Sequence, residues 1–182
     1  MAVSLITRAD DFGSSHSANT AILDSAKGRF IKNVSCMAPG PLLAQGAALL
    51  KRQRHLCLGM HLTLNAEWDL IKWPPLSDAA RVSGLVEENG AFKEDPLRFL
   101  VEPPPLDQVM LEADAQLDYL TRLKLNIRYV DSHMFPERYI IGLKEALADW
   151  ARKKGLINHT RYYRFPDSPE IEMAVTLEDK SA

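Results

Sequence analysis

The sequence is poor in cysteine, carries little net charge and has no long apolar run. Its formal charge is only −2, and no face rich in lysine and arginine is visible, so nucleic acid is not expected as a partner. No stretch approaches the ~18 apolar residues of a membrane helix, and the N-terminus lacks an export-signal pattern. The two cysteines, Cys36 and Cys57, lie in apolar runs without paired spacing, which predicts buried free thiols in a reducing cytoplasm. We therefore expect a cytoplasmic protein with no membrane partner.

Glycine-rich phosphate loops are also absent. The nine glycines form no G-x-G-x-x-G pattern, and no arginine cluster would clamp a phosphate. These absences count against nucleotide-dependent redox chemistry and against phosphoester hydrolysis. A chain of 182 residues is long enough for one well-packed domain. We expect that domain to span 1–165, followed by a polar, proline-containing and weakly ordered tail at 166–182.

Apolar, strand-like runs alternate with segments of helical spacing. The predicted strands span 3–9, 33–38, 56–64, 127–133 and 156–165, and the predicted helices span 14–28, 42–54, 106–123 and 139–154. This alternation predicts parallel pairing, and hence an α/β sheet or an incomplete (β/α) barrel. In both architectures ligands bind at the carboxyl ends of the strands.

Residues 65–105 interrupt the alternation and show little periodicity. Prolines and an Asn-Gly pair break the segment, so we interpret it as a long loop excursion of the kind that forms lids and binding loops. Trp68, Trp73 and Phe92 lie within it. Their rings could stack on a sugar ring, or they could pack inward and hold the loop in place.

Residues of the types that bind metals lie at the carboxyl ends of three predicted strands. Asp10 and Asp11 follow the first strand, His61 lies late in the third, and His133 ends the fourth. A divalent ion accepts carboxylate oxygen and imidazole nitrogen together, and a carboxylate beside it can take a proton from water. Asp10 suits the proton-accepting role, and Asp131 suits the orientation of a ligating imidazole.

Each of these residues also has a simpler interpretation. Asp10 or Asp11 could cap the helix that follows the first strand. A single buried histidine is more often hydrogen-bonded within a core than bound to a metal. Their joint occurrence at one edge of the predicted sheet favours a site.

Four short motifs together resemble those of the YdjC-like family, which includes chitooligosaccharide deacetylases. The likeness extends over residues 4–165. The motifs are Leu5-Ile6-Thr7-Arg8-Ala9-Asp10-Asp11-Phe12-Gly13 followed by Asn19, then Pro39-Gly40-Pro41, then Gly59-Met60-His61-Leu62-Thr63-Leu64, and finally Val130-Asp131-Ser132-His133. The resemblance implies an irregular (β/α) barrel of TIM-like type with parallel strands.

The resemblance also implies a reaction and the residues that perform it. Members of the family remove the acetyl group from an N-acetylated amino sugar or a short chitooligosaccharide with one divalent metal ion, commonly magnesium, and the donor types suit zinc as well. Asp11, His61 and His133 would be the metal ligands, and Asp10 would be the general base. The candidate substrate contacts are Asn19, Asn65 and, on the predicted fifth strand, Arg161.

The chain departs from the family pattern in two respects. The family continues Asp-Ser-His with two further alternating histidines, whereas here His133 runs directly into Met134-Phe135-Pro136. Family chains are also longer, so the five predicted strands leave the barrel incomplete. A second hypothesis is therefore a truncated, non-catalytic protein that binds metal and sugar. An open barrel would also expose strand edges, which predicts a homo-oligomer, specifically a dimer.

Overall fold

A parallel sheet of five strands is the framework of the protein. The computed structural model describes residues 6–160. Within this range each strand pairs in parallel with the next one along the chain, in the order β1-β2-β3-β4-β5. The strands are β1 (Arg8–Phe12), β2 (Asn33–Cys36), β3 (Cys57–Leu62), β4 (Ile127–Ser132) and β5 (Ile157–Asn158). Sequential parallel order is the order of a (β/α) barrel, and it confirms the predicted α/β fold class.

Helices follow the strands in the described range. They are α1 (His16–Lys27), α2 (Leu43–Arg52), α3 (Arg98–Val101), α4 (Leu106–Arg122) and α5 (Leu143–Lys154). Helix α1 begins where Ser15 Oγ accepts a hydrogen bond from the Ala18 N–H at 3.1 Å. Helix α5 ends at Gly155, whose φ of 69° is a left-handed conformation that glycine adopts without strain. No helix between residues 6 and 160 is long and apolar enough to cross a membrane.

The sheet is strongly curved. Arg8 on β1 and Asp131 on β4 lie three strands apart in the sheet order, and a flat sheet would separate their strands by about 14 Å. Nevertheless Arg8 Nη1 lies 2.9 Å from Asp131 Oδ2. The same nitrogen lies 2.6 Å from Nδ1 of His159, which follows β5. The strands therefore curl around a shared interior, as the wall of a barrel does.

Strand β1 carries both aspartates. The prediction that the first strand stops before Asp10 is wrong, because β1 extends to Phe12. Asp11 has a φ of 63°, and the pairing of β1 with β2 shifts register between Ala9 and Phe12. Consecutive side chains of a regular strand face opposite sides, so this irregularity is what redirects Asp11. Neither carboxylate caps α1, since Ser15 does.

The excursion at 65–105 is folded onto the body of the protein. It contains a 3₁₀ segment (Ala79–Leu85), helix α3 and an antiparallel bridge between Val86 and Phe92. Trp73 and Phe92 are each only 1% exposed, so the idea that they stack on a sugar ring is wrong for both. Trp68 packs edge to face on Trp73, with 5.5 Å between ring centroids. These rings hold the segment against the core.

A buried polar pair on α4 fastens the excursion. Glu112 is fully buried and accepts the backbone N–H groups of Leu76 and Ser77 at 3.0 and 2.9 Å. One turn further on, Gln116 accepts the N–H of Thr63 at 3.1 Å and donates to its carbonyl at 2.7 Å. Gln116 also donates to Glu112 at 2.9 Å. Helix α4 therefore ties the end of β3 to the excursion.

The remaining predictions concern regions that the structure covers only in part. The fifth strand is present as Ile157–Asn158, and both its predicted continuation from residue 161 and the tail at 166–182 lie outside the described residues. Cys36 is a buried free thiol as predicted, whereas Cys57, at the start of β3, is half-buried. The single domain, the homodimer and the cytoplasmic location stay predictions.

Candidate metal centre

Asp11, His61 and His133 converge at the carboxyl end of the sheet. Asp11 comes from β1, His61 from β3, and His133 from the residue after β4, where its N–H still pairs with the Leu62 carbonyl at 2.9 Å. Asp11 Oδ1 lies 3.3 Å from His61 Nε2 and 3.1 Å from His133 Nδ1. The two imidazole rings meet edge to face, with 5.3 Å between centroids. One carboxylate oxygen and two ring nitrogens thus point at the same small volume.

Each imidazole is held by a second carboxylate on its far nitrogen. His61 Nδ1 lies 2.7 Å from Asp131 Oδ1, and His133 Nε2 lies 3.0 Å from both oxygens of Glu67. A neutral imidazole donates from one nitrogen and accepts at the other. In the neutral form of each ring, donation to Asp131 and to Glu67 leaves the lone pairs of His61 Nε2 and His133 Nδ1 facing Asp11. This is the arrangement of metal-binding histidines, whose far N–H is fixed by a carboxylate.

The three converging atoms fit a divalent cation. Asp11 Oδ1 is buried and has no hydrogen-bond partner, although two ring nitrogens lie close to it. Metal–ligand distances of ~2.0–2.2 Å place neighbouring ligand atoms roughly 2.8–3.1 Å apart in an octahedral site and 3.3–3.6 Å apart in a tetrahedral one. The observed separations of 3.1 and 3.3 Å agree with such distances. Two imidazoles with one carboxylate suit zinc, manganese or iron.

The protonation of the metal-free centre follows from these contacts. Burial disfavours the charged form of His61, but its contacts with Asp11 and Asp131 outweigh that effect and raise its pKa to about 9. Burial likewise opposes the charging of His133, and Asp11 with Glu67 raises its pKa nonetheless. Burial favours the neutral acid at Asp11, yet His133 and His61 hold the pKa of that carboxyl well below its usual range. A divalent ion entering the centre would therefore displace protons from the imidazoles.

Asp10 lies beside this centre and is tied to Arg8. The Asp10 side chain is 38% exposed, and its oxygens lie 2.6 Å from Arg8 Nε and 2.9 Å from Arg8 Nη2. Ligand atoms of Asp10, His61 and Asp131 all lie within 4.8 Å of one another. The structure thus brings Asp10 and Asp131 to the same rim as the three converging residues.

The predicted substrate contacts have other neighbours in the structure. Asn19 accepts the Gly13 N–H at 2.7 Å and donates to the Leu42 carbonyl at 3.2 Å, so it joins the loop after β1 to the start of α2. Asn65 is fully buried and donates to Glu67 Oε2 at 3.0 Å. Arg161 lies outside the described residues. A contact with substrate stays a prediction for all three.

Four residues near the centre were not found from the sequence. Arg8 lies two positions before Asp10, on the same side of a strand, and period-two spacing could have revealed it. Ser35 on β2 donates to Asp131 Oδ2 at 2.6 Å and lies 2.9 Å from the Tyr129 hydroxyl. The other two are Glu67, beside His133, and Glu137, which accepts a hydrogen bond from Ser132 Oγ. No sequence spacing pointed to Ser35, Glu67 or Glu137.

Curated relatives with similar sequences are named as deacetylases. The chain is 29% identical over 129 residues to a carbohydrate deacetylase from Thermoanaerobacter pseudethanolicus, covering 71% of this chain and 49% of that protein. It is 25% identical over 156 residues to a chitooligosaccharide deacetylase from Enterobacter sp. (strain 638), covering 84% and 57% respectively. The chain therefore spans about half the length of the curated relatives it matches.

A solved structure and a family model complete the comparison. A crystal structure of an Enterococcus faecalis V583 protein, provisionally assigned to cellobiose-phosphate cleavage, superposes with a TM-score of 0.72 at 23% identity, covering 96% of this chain and 64% of that one. This likeness concerns the fold. The family model for YdjC-like proteins matches residues 4–180. The chain belongs to the YdjC-like protein family.

Proposed function

We propose that the protein hydrolyses the acetamide of an N-acetylated amino sugar or a short chitooligosaccharide, with one divalent cation held by Asp11, His61 and His133. The observation that carries this proposal is the pair of imidazoles whose far nitrogens are held by Asp131 and Glu67. Their near nitrogens face the Asp11 oxygen that has no hydrogen-bond partner. The sugar substrate is inferred from relatives that are named carbohydrate and chitooligosaccharide deacetylases.

The exposure of the side chains gives the direction of substrate approach. His61 and His133 are 5% and 8% exposed, whereas Asp11 and Asp10 are 42% and 38% exposed. The imidazoles therefore form the floor of the centre, and the aspartates form its open edge. An acetamide reaches the centre over that edge, where Asp10 is within reach of the reacting atoms.

Hydrolysis of an amide needs an activated water and a group that removes its proton. A divalent cation bound at the centre would polarise the acetamide carbonyl and lower the pKa of water towards neutrality. Asp10 accepts the proton of the attacking water, since it lies beside the centre and is partly open to solvent. Arg8 holds the Asp10 carboxylate in place meanwhile. One water is consumed: the proton that Asp10 takes from it passes to the leaving nitrogen, and the bond between carbonyl carbon and nitrogen breaks. The products are the free amine and acetic acid, which ionises to acetate.

The proposal is tested by acetate release from N-acetylglucosamine oligomers. Protein stripped of metal is reloaded with zinc, magnesium, manganese or cobalt, beside the variants Asp10→Asn and His133→Ala. We expect Asp10→Asn to retain the ion and lose about 10²–10⁴-fold in turnover, because it removes the proton acceptor. His133→Ala should lose the ion itself. His16→Ala, at an exposed position on α1, is the matched control and should behave as the wild type.

Two outcomes would contradict parts of the proposal. An ion bound by the wild type, with no acetate from any oligomer and any metal, would favour a protein that binds metal and sugar without turnover. A wild type that binds no divalent ion would contradict the metal centre itself.

A further inference from the structure

A second cluster of carboxylates lies beside the metal centre, and a cation of the protein itself fills it. Asp10 and Asp131 both contact the Arg8 guanidinium: Nε and Nη2 lie 2.6 and 2.9 Å from the oxygens of Asp10, and Nη1 lies 2.9 Å from Asp131 Oδ2. His61 adjoins both clusters, since its Nε2 faces Asp11 and its Nδ1 faces Asp131. Arg8 thus takes up the position between the two carboxylates.

This second cluster offers two carboxylates, beside an imidazole whose Nδ1 already lies against Asp131. Atoms of Asp10, His61 and Asp131 lie within 4.8 Å of one another, as do those of the first centre. Asp131 is fully buried, and a buried carboxylate requires a cation or several hydrogen bonds. The Arg8 side chain is 19% exposed, so its charge is largely withdrawn from water. Without that charge, two carboxylates would face each other beside an imidazole, which is an environment that attracts a divalent cation.

We propose that Arg8 takes the place of a second metal ion. Its guanidinium excludes a divalent cation from the Asp10–Asp131 cluster, so that the centre holds one ion rather than two. It also fixes Asp10 relative to His61, because one rigid planar group contacts both Asp10 and the carboxylate that orients His61. Arg8 is a positioning residue in this proposal. The positioning of the base rests on the proposed function, whereas the exclusion of a second ion rests on the contacts of Arg8 alone.

The number of bound ions tests the proposal. Metal-stripped wild type, Arg8→Gln and Arg8→Lys are titrated with Mn²⁺ alone, and the ions per chain are counted by electron paramagnetic resonance of free Mn²⁺ and by elemental analysis. We expect one ion per chain in the wild type and in Arg8→Lys, which keeps the positive charge. We expect two in Arg8→Gln, which keeps much of the aliphatic packing but removes the charge. Arg152→Gln, which removes an arginine from an exposed ion pair with Asp149, should leave the count at one.

Two further measurements locate the second ion. The double variant Arg8→Gln with Asp10→Asn should return the count to one, because it removes a ligand of the second cluster and leaves the first intact. Guanidinium ion added to Arg8→Gln at millimolar concentration should displace one Mn²⁺ per chain and should leave the wild-type count unchanged. A role for Arg8 in stability alone would produce neither result.

An unchanged ion count in Arg8→Gln overturns the proposal, whatever the wild type binds. Absence of any bound ion from the wild type would instead contradict the proposed metal centre, so the two failures are distinguishable. If Arg8→Gln folds only when Mn²⁺ is present, two ions in the folded form support the proposal and one overturns it. Failure of this variant to fold even with saturating Mn²⁺ also overturns it, because a second cation should substitute for the lost charge.

Discussion

Replacement of Asp131 by asparagine should weaken metal binding, although Asp131 contacts the far nitrogen of His61 and does not itself face the ion. Both oxygens of Asp131 accept: Oδ1 from His61 Nδ1 at 2.7 Å, and Oδ2 from Ser35 at 2.6 Å and Arg8 at 2.9 Å. An asparagine has one oxygen and one amide NH₂. Either orientation of that amide sets its NH₂ against a donor. The variant therefore loses either the hydrogen bond from His61 or the contacts with Ser35 and Arg8. It loses the negative charge in both cases.

The expected loss is about 10–100-fold in metal affinity, the usual effect of removing a carboxylate behind a ligating histidine. That range corresponds to ~1.4–2.8 kcal/mol of binding free energy. Glu67→Gln should cost less, under tenfold, because Glu67 is 25% exposed and water can replace part of its contact with His133. The predicted order is thus a larger loss for the fully buried Asp131 than for the half-buried Glu67.

The assay is a competition titration against a chromophoric chelator, with zinc and manganese, on variants whose circular dichroism matches the wild type. Asp149→Asn is the matched control, since Asp149 lies on α5 in an exposed ion pair with Arg152. Unchanged affinity in Asp131→Asn would refute the argument that the far nitrogen of His61 must be held. An equal or larger loss in Glu67→Gln would refute the argument from burial.

Three other predictions address protonation and packing. The pKa of His61 is raised to about 9, so its contribution to the stability of the metal-free protein is complete below about pH 6.5 and is lost as the pH rises to about 9. Urea denaturation with a chelator present should show this fall, and an added divalent ion should increase the free energy of unfolding more as the pH rises. The same pH dependence of stability with and without the ion would contradict this prediction. Glu112→Gln should lower the free energy of unfolding by ~1–3 kcal/mol in urea titrations, because the amide NH₂ of the new glutamine must face a donor such as the Leu76 N–H. Unchanged stability would count against the role of Glu112 in fastening the excursion. Gly59→Ala should cost ~1–3 kcal/mol, because a Cβ there would lie 2.1 Å from the Tyr129 ring. Tyr129→Leu should relieve that clash, so a strictly additive double variant would contradict it.

The convergence of the three candidate ligands could be predicted from the sequence. Asp11, His61 and His133 interrupt or end apolar runs, and parallel strands bring their carboxyl ends to one edge whatever the details of packing. The alternation of strand and helix was enough to place them there. The prediction that these side chains converge is confirmed, because it depended on periodicity and chain order alone; their role as metal ligands stays a prediction.

The finer geometry depends on tertiary contacts that have no local signature. Glu67 lies in the excursion, and only the fold of that segment brings it to His133. Trp73 was open to two interpretations until its ring was seen to be buried and its Nε1 to donate to the Asn65 carbonyl at 2.8 Å. The predicted end of β1 was wrong because two consecutive aspartates normally end a strand. Here Asp11 continues the strand in a left-handed conformation.

The left-handed backbone at Asp11 joins the strain of β1 to the charge of the centre. A non-glycine residue at a φ of 63° carries strain on the order of 1–2 kcal/mol, which glycine would relieve. Glycine would also remove the carboxylate that lies 3.1 Å from His133 Nδ1 and 3.3 Å from His61 Nε2. In the metal-free protein those two contacts act against the strain. The same residue thus strains the backbone and supplies the charge that offsets the strain.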